Sequence, residues 1–421
     1  MDRFFKSVLF FLVIVGIGSF FIIKRNFISI DNAKNFLAGI FFVESFTMDS
    51  LKNDYLSVTG NKNDDSKIGE EFNNIAKTKI KVLIVPGHDN DYWGTEFNEI
   101  READLNLKLA KYLADFIKSD NHFEVVMSRD ENGYNSELLD YLSKNENDIN
   151  KFIAENKNLT DYYIRTGMVN DFEQIIHLNA LPGVVFRLYG INKWVNDNNV
   201  KIVLHVHFND YARRPGDSVG DYSGFAIYIP EKQFSNSKSS LALAQSVFGR
   251  LSKYFAVSNM PKENAGIIED QKLIAIGSNN TLNAASMLVE YGYIYESQFI
   301  NSEVSPLIFE ELAFQTYLGI EDLFNSGKIS GDVSSISSKI MKDNILEEGM
   351  KNDQEVLKFQ MVLLRAGFYP TPGFSKNDCP VSGNFLSCTK LAVKKFQESS
   401  GIKASGIVGA LTRSALNQIS E

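Results

Sequence analysis

The sequence predicts an α/β domain, a central sheet flanked by helices, followed by a small helical domain. Three observations predict it: short apolar runs at residues 80–85, 123–127, 202–207, 225–229 and 287–290; amphipathic stretches between them; and two similar helical phrases near the end. Apolar runs of that length, bounded by turn residues, suit buried strands, and their alternation with helices suits an α/β sandwich. Sites in such folds form at strand ends.

The chain opens with Arg3 and Lys6, continues through an uncharged run from Ser7 to Ile23, and then carries Lys24 and Arg25. Those seventeen residues would extend roughly 25 Å as a helix, and Phe4 and Phe5 lengthen the run if Lys6 snorkels. Residues 1–25 are therefore expected to form a membrane helix. A cleaved signal peptide is the alternative, although no A-x-A-like cleavage site follows closely. Positive charges flank the run on both sides, so its orientation has to be argued from function. Residues 26–78 read as a stalk and linker that includes the polar stretch 60–67.

A domain begins near Lys79 and is expected to span 79–325. Ile80 to Val85, followed by Pro-Gly, reads as its first strand. The next helix runs from Glu102, with Leu105, Leu109, Tyr112, Leu113, Phe116 and Ile117 on one face. Leu241, Ala244, Val247, Phe248 and Leu251 mark another helix. A Ser/Gly-rich stretch opens a linker over 326–350, and a compact tail occupies 351–421.

The formal charge of the 421 residues is −9, but residues 351–421 carry nine Lys and Arg against five Asp and Glu. A mildly basic tail thus sits on a strongly acidic body, which lacks the footprint of a nucleic-acid binder. Two cysteines, Cys379 and Cys388, exclude a disulfide-dense scaffold and a four-cysteine zinc module. Any metal site must draw on His and carboxylates.

Five histidines occur: His88, His122, His177, His205 and His207. His88 and His207 stand at strand ends, and Glu102 opens the helix after the first strand, so it can return to the same sheet edge. Catalytic zinc commonly takes two imidazoles and a carboxylate, leaving a position for water. Glu290 ends an apolar strand, where a base for that water could stand. Singly, each has a plain structural reading: a hydrogen-bonded histidine, a helix-opening acid favoured by the macrodipole, a glutamate reaching solvent.

The stretches Val-Pro-Gly-His (85–88), Glu-Ala-Asp-Leu-Asn-Leu (102–107), Ser-Arg-Asp (128–130), His-Val-His-Phe-Asn (205–209) and Met-Leu-Val-Glu-Tyr-Gly-Tyr (287–293) together resemble the ordered motifs of the zinc-dependent N-acetylmuramoyl-L-alanine amidases. The resemblance implies zinc as cofactor, His88, Glu102 and His207 as its ligands, and Glu290 as catalytic base. It implies hydrolysis of the amide between the lactyl group of N-acetylmuramic acid and L-alanine of the peptidoglycan stem. Three departures stand out. Asp89 and Asn90 replace the family's Gly-Gly after the first ligand. His205 replaces a small polar residue and shares a strand face with His207, so it could compete as ligand; spacing to Asn209 favours His207. His205 and Asn209 are then expected to support the ligands from behind or to contact substrate. Residues 131–185 form an insert, read either as a lid or site for a regulatory protein, or as a solvated lobe. His177 falls in it and His122 precedes a sheet edge; neither is assigned to metal.

In the tail, residues 356–368 and 392–402 each place apolar residues on one helical face and run into glycine, and Gly406-Ile407-Val408-Gly409 and Thr412 follow. This resembles the three-helix peptidoglycan-binding domain carried by wall hydrolases, with Phe359 and Phe396 as core. A Cys379–Cys388 disulfide in the loop between the phrases is preferred to two free thiols and requires an extracytoplasmic location. The expectation is a membrane-anchored wall amidase, with secretion after signal cleavage as the alternative. Two rivals are an inactive amidase-like scaffold and a zinc peptidase acting on stem peptides; no H-E-x-x-H sequence is present.

Overall fold

The computed structural model describes residues 79–170, 180–211, 214–277, 280–325, 333–336 and 344–419. The expected anchor and stalk, most of the linker, and His177 lie outside the described residues. Among the described residues, no helix is long and apolar enough to cross a membrane.

The larger domain is built on a six-stranded mixed sheet. Its strands are β1 (Ile80–Pro86), β2 (Phe123–Met127), β3 (Ile202–Asn209), β4 (Ala226–Pro230), β5 (Ile267–Asp270) and β6 (Ala285–Tyr293), in the order β2-β1-β3-β6-β4-β5. β2, β1, β3 and β6 are mutually parallel, whereas β4 is antiparallel to β6 and parallel to β5. The main helices are α1 (Glu102–Ser119), α2 (Ser136–Lys144), α3 (Glu146–Arg165), α4 (Pro182–Asp197), α5 (Ser237–Tyr254) and α6 (Ser305–Asn325).

The two-residue period of a strand sends alternate side chains to opposite faces. Val82, Ile84, Leu204, Val206 and Met287 pack with α1, α5 and α6 on one side. Leu83, Val85 and Val203 pack with Leu142, Ile149 and Trp194 of α2, α3 and α4 on the other. The buried Leu138, Leu142 and Ile149 make this part of the insert a structural layer and rule out the solvated-lobe reading there. The strand carrying Glu290 does not end at that residue. It continues through Tyr293, because Tyr291 and Tyr293 are buried with their hydroxyls bonded to Thr316 and Glu263.

The tail holds three helices, α7 (Gln354–Arg365), α8 (Ser387–Ser399) and α9 (Ala410–Ile419), with Phe359 and Phe396 buried among them. Each Phe-Gln pair follows the same device. Gln360 bonds Asn384 O, Thr389 and the Ser382 and Gly383 N–H groups. Gln397 bonds Ile407 O, Thr412 and Gly406 N–H. Buried glutamines thus stitch each loop to the helix before it, which accounts for the motif physically. Cys379 and Cys388 are disulfide-bonded, with Cα atoms 6.1 Å apart; Cys388 lies within α8 rather than in the loop. The middle of the expected linker is pinned, since the buried Glu311 carboxylate accepts bonds from Ser334 and Ser335.

Candidate metal centre and cleft

The parity that buries Val203 also directs His205, His207 and Asn209 to the face covered by α4, where they line one cavity. In the sheet, His207 is the Cα partner of Glu290, and His205 that of Leu288. His88 follows β1, and Glu102 enters from the first turn of α1 at the same edge.

Glu102 is central and buried. Its Oε2 lies 3.1 Å from His88 Nε2, and its Oε1 lies 3.0 Å from His207 Nδ1. One ligand atom from each of the three residues falls within 4.8 Å of the others, and His205 is not part of the group. Burial alone would raise the Glu102 carboxyl; the hydrogen bonds from His207 and His88 override it and hold it well below the usual carboxylate range. Burial pushes His205 down to about 3, so its imidazole is neutral at physiological pH. Burial, reinforced by the charges of Glu102 and Glu263, pushes Glu290 well above the carboxylate range. Its Oε2 is buried without a hydrogen-bond partner.

Residues whose role the sequence reading did not recognise hold these groups. Buried Asn106, one turn after Glu102, donates to Glu102 Oε1 and to Gly87 O. Arg129 donates to Gly87 O and Ala103 O at 2.9 Å and to Pro86 O at 3.2 Å, tying the end of β1 to the start of α1. A side chain at Gly87 would overlap the His207 ring, and one at Gly94, at φ +77°, would overlap Glu102 and His88. Glycine is required at both. The same set of motifs that carries His88, Glu102 and His207 also carries Gly87, Asn106 and Arg129, and that shared placement was the available signal.

His88 adopts φ +60°, an unusual region for a residue with a Cβ. Asp89 closes that loop. Its Oδ1 accepts the Asp91 and Tyr92 N–H groups, while Oδ2 accepts the Tyr134 hydroxyl and pairs with Arg187 at 3.1 Å. The departure from Gly-Gly is thus a loop clamp anchored on α4. Beyond β3, buried Glu263 accepts bonds from Asn209, Tyr228, Ser258 and Tyr293. Asn209 is therefore a bonded support at the cavity wall. His122 stands beside Asp120 at the opposite end of the sheet.

The family model for N-acetylmuramoyl-L-alanine amidase matches residues 82–321, and that for a peptidoglycan binding domain matches residues 352–416. No curated protein matches the sequence. Solved structures similar to the chain include an N-acetylmuramoyl-L-alanine amidase from Clostridium difficile 630, at 20% identity and TM-score 0.38, covering 59% of this chain and 98% of that one. Another is an N-acetylmuramoyl-L-alanine amidase of Nostoc punctiforme, at 18% identity and TM-score 0.36, covering 59% and 98%. The family match spans more than half of the chain and includes every residue of the His88, Glu102, His207 and Glu290 constellation. The chain accordingly belongs to the N-acetylmuramoyl-L-alanine amidases, hydrolases of peptidoglycan, and carries a peptidoglycan-binding domain on its C-terminal side.

Proposed function

We propose that this amidase is zinc-dependent, with His88, Glu102 and His207 holding the ion and Glu290 moving the proton. The observation that carries the reading is the convergence of two imidazoles and one buried carboxylate, their ligand atoms within 4.8 Å of one another, beside a buried carboxylate oxygen of Glu290 that has no partner. The donor set is the one that suits catalytic zinc. When bound, zinc supplies Lewis acidity toward the amide carbonyl and lowers the pKa of water toward neutrality.

The chain's own residues do the rest. Glu290, whose ionised form the charge of a bound ion would favour, takes the proton of the attacking water and delivers it to the alanine nitrogen as the lactyl carbon–nitrogen bond breaks. Asn106 and Arg129 hold the Gly87 carbonyl and so the strand end that presents His88. The Asp89 clamp fixes the loop, and Glu263 fixes Asn209 and the ends of β4 and β6. The tail keeps the catalytic domain on its polymeric substrate by raising local concentration.

The reading extends to location. A Cys379–Cys388 disulfide belongs to an oxidising compartment. We place the catalytic and wall-binding domains outside the cytoplasm, with residues 1–25 as a single-pass anchor on the strength of the uncharged run Ser7–Ile23.

The test is digestion of purified peptidoglycan by the full chain with chelator, without it, and with zinc added back, the products being read by mass spectrometry. Free stem peptides beginning with L-alanine, lost with chelator and restored by zinc, are expected. Cleavage between stem residues with intact lactyl amides would make it a peptidase. No release by zinc-loaded protein would make it a scaffold.

A further inference from the structure

The cavity is deeper than a metal site needs. Its volume is 820 Å³, and it reaches past the row of His207, Glu290 and the β1 end to a second row across the sheet, formed by Val85, His205, Leu288 and Tyr228. Two residues along a strand put this row about 7 Å below the metal row. Leu188 and Ile191 of α4 wall it on one side, and Leu273 and Ala275, at the 3-10 turn Ile274–Ile276, wall it on another.

Within this apolar recess one polar group is uncommitted. His205 is 1% exposed and lines the cavity, and its Nε2 has no hydrogen-bond partner. The Tyr228 hydroxyl already donates to Glu263, and both Glu263 oxygens are occupied by other donors. A buried polar atom left alone is unfavourable until a ligand satisfies it.

Resting on the amidase reading above, we infer that this recess is a specificity slot for the acetamido group of the muramoyl sugar, with His205 Nε2 as its hydrogen-bond partner. The reach and the chemistry agree. With the scissile carbonyl at the metal row, the alanine methyl ends about 4 Å away, too short to enter the recess. The acetyl methyl extends roughly 7 Å, through the lactyl carbon, the ether oxygen, the sugar ring and the amide nitrogen. An acetamido group offers a methyl to the apolar walls and one neutral amide to His205, whose nitrogen accepts or donates according to its tautomer. A de-N-acetylated sugar would bring an ammonium ion into the same recess, where no free carboxylate among the lining residues of that row awaits it.

The test compares two soluble muropeptides that differ only in the sugar nitrogen, N-acetylated or free amine. Zinc-loaded full-length protein should cleave the acetylated one with at least ~10-fold higher kcat/KM. His205→Leu should lose roughly 10-fold on that substrate and little on the other, collapsing the ratio. His205→Gln, which keeps an amide, should recover part of it. Zinc content equal to the parent in both variants separates this from damage to the metal row. Calorimetric titration with N-acetylmuramic acid and muramic acid in chelator reads the slot without turnover, and the acetylated sugar should bind more tightly. An unchanged cleavage ratio in His205→Leu, or equal affinity for the two sugars, overturns the slot and leaves the amidase reading intact. No cleavage of either muropeptide by the parent protein overturns the amidase reading instead, and the titration still decides the slot.

Discussion

Replacing Asp89 measures how strongly the loop behind His88 is held. His88 sits at φ +60°, which costs a non-glycine residue on the order of 1–2 kcal/mol, so the surroundings must enforce it. Asp89 supplies four contacts: two backbone N–H groups at 2.9 and 2.8 Å, the Tyr134 hydroxyl at 3.0 Å and Arg187 at 3.1 Å. Asp89→Asn keeps the oxygen that accepts the two backbone groups but turns a donor toward Tyr134 and Arg187. It should lose about 1–2 kcal/mol, the Arg187 share being discounted for partial solvent screening. Asp89→Ala removes all four contacts and should lose about 3–4 kcal/mol. Urea denaturation reads the stability, and competition with a chromophoric chelator reads zinc affinity, expected to fall roughly 10- to 100-fold in Asp89→Ala and less in Asp89→Asn. Equal losses in the two variants would refute the division between turn and ion pair. Parent-like stability and zinc affinity in Asp89→Ala would refute the clamp itself.

Glu290→Gln should retain zinc while kcat falls ~100-fold or more, the range expected for a lost general base; His88→Ala should lose both metal and turnover, as metal analysis beside the peptidoglycan assay will show. His205 has a folded pKa depressed to about 3 against an ordinary 6.5, so the unfolded chain takes a proton that the fold refuses. Stability from this residue is intact above the unfolded value and is lost as pH falls below it, by about 2 kcal/mol at pH 5. In chelator, His205→Leu should therefore gain on the parent protein as pH drops from 7 to 5 in urea denaturation, and a pH-independent difference would contradict the neutral buried ring. Replacing Cys379 and Cys388 together by serine should destabilise the tail by about 2–3 kcal/mol, and reductant should then have no further effect on its melting.

Five of the six strands, helices α1 and α5, the candidate site residues and the tail were legible in the chain, because each depends on local pattern; the edge strand β5 and helices α3, α4 and α6 were not. Apolar runs of four to six residues bounded by turn residues can be read along the chain, and so can the order of the motifs. The Phe-Gln phrases were legible as helices, and the structure supplied their reason in Gln360 and Gln397. Strand parity alone places His205 and His207 on one face.

Contacts between residues far apart in sequence come from how the elements pack. Spacing cannot reveal that Arg129 reaches back to Pro86 and Gly87, that Asp89 is met by Arg187 from the helix after the insert, or that Glu263 gathers donors from four segments. Nor can it show that Leu138, Leu142 and Ile149 of the insert cover the sheet. The choice between His207 and His205 turned on the same kind of fact. Both share a face, but Glu102 enters at the level of His207, because α1 begins at the sheet edge. That position leaves His205 one pleat deeper, buried and unpartnered, facing the recess.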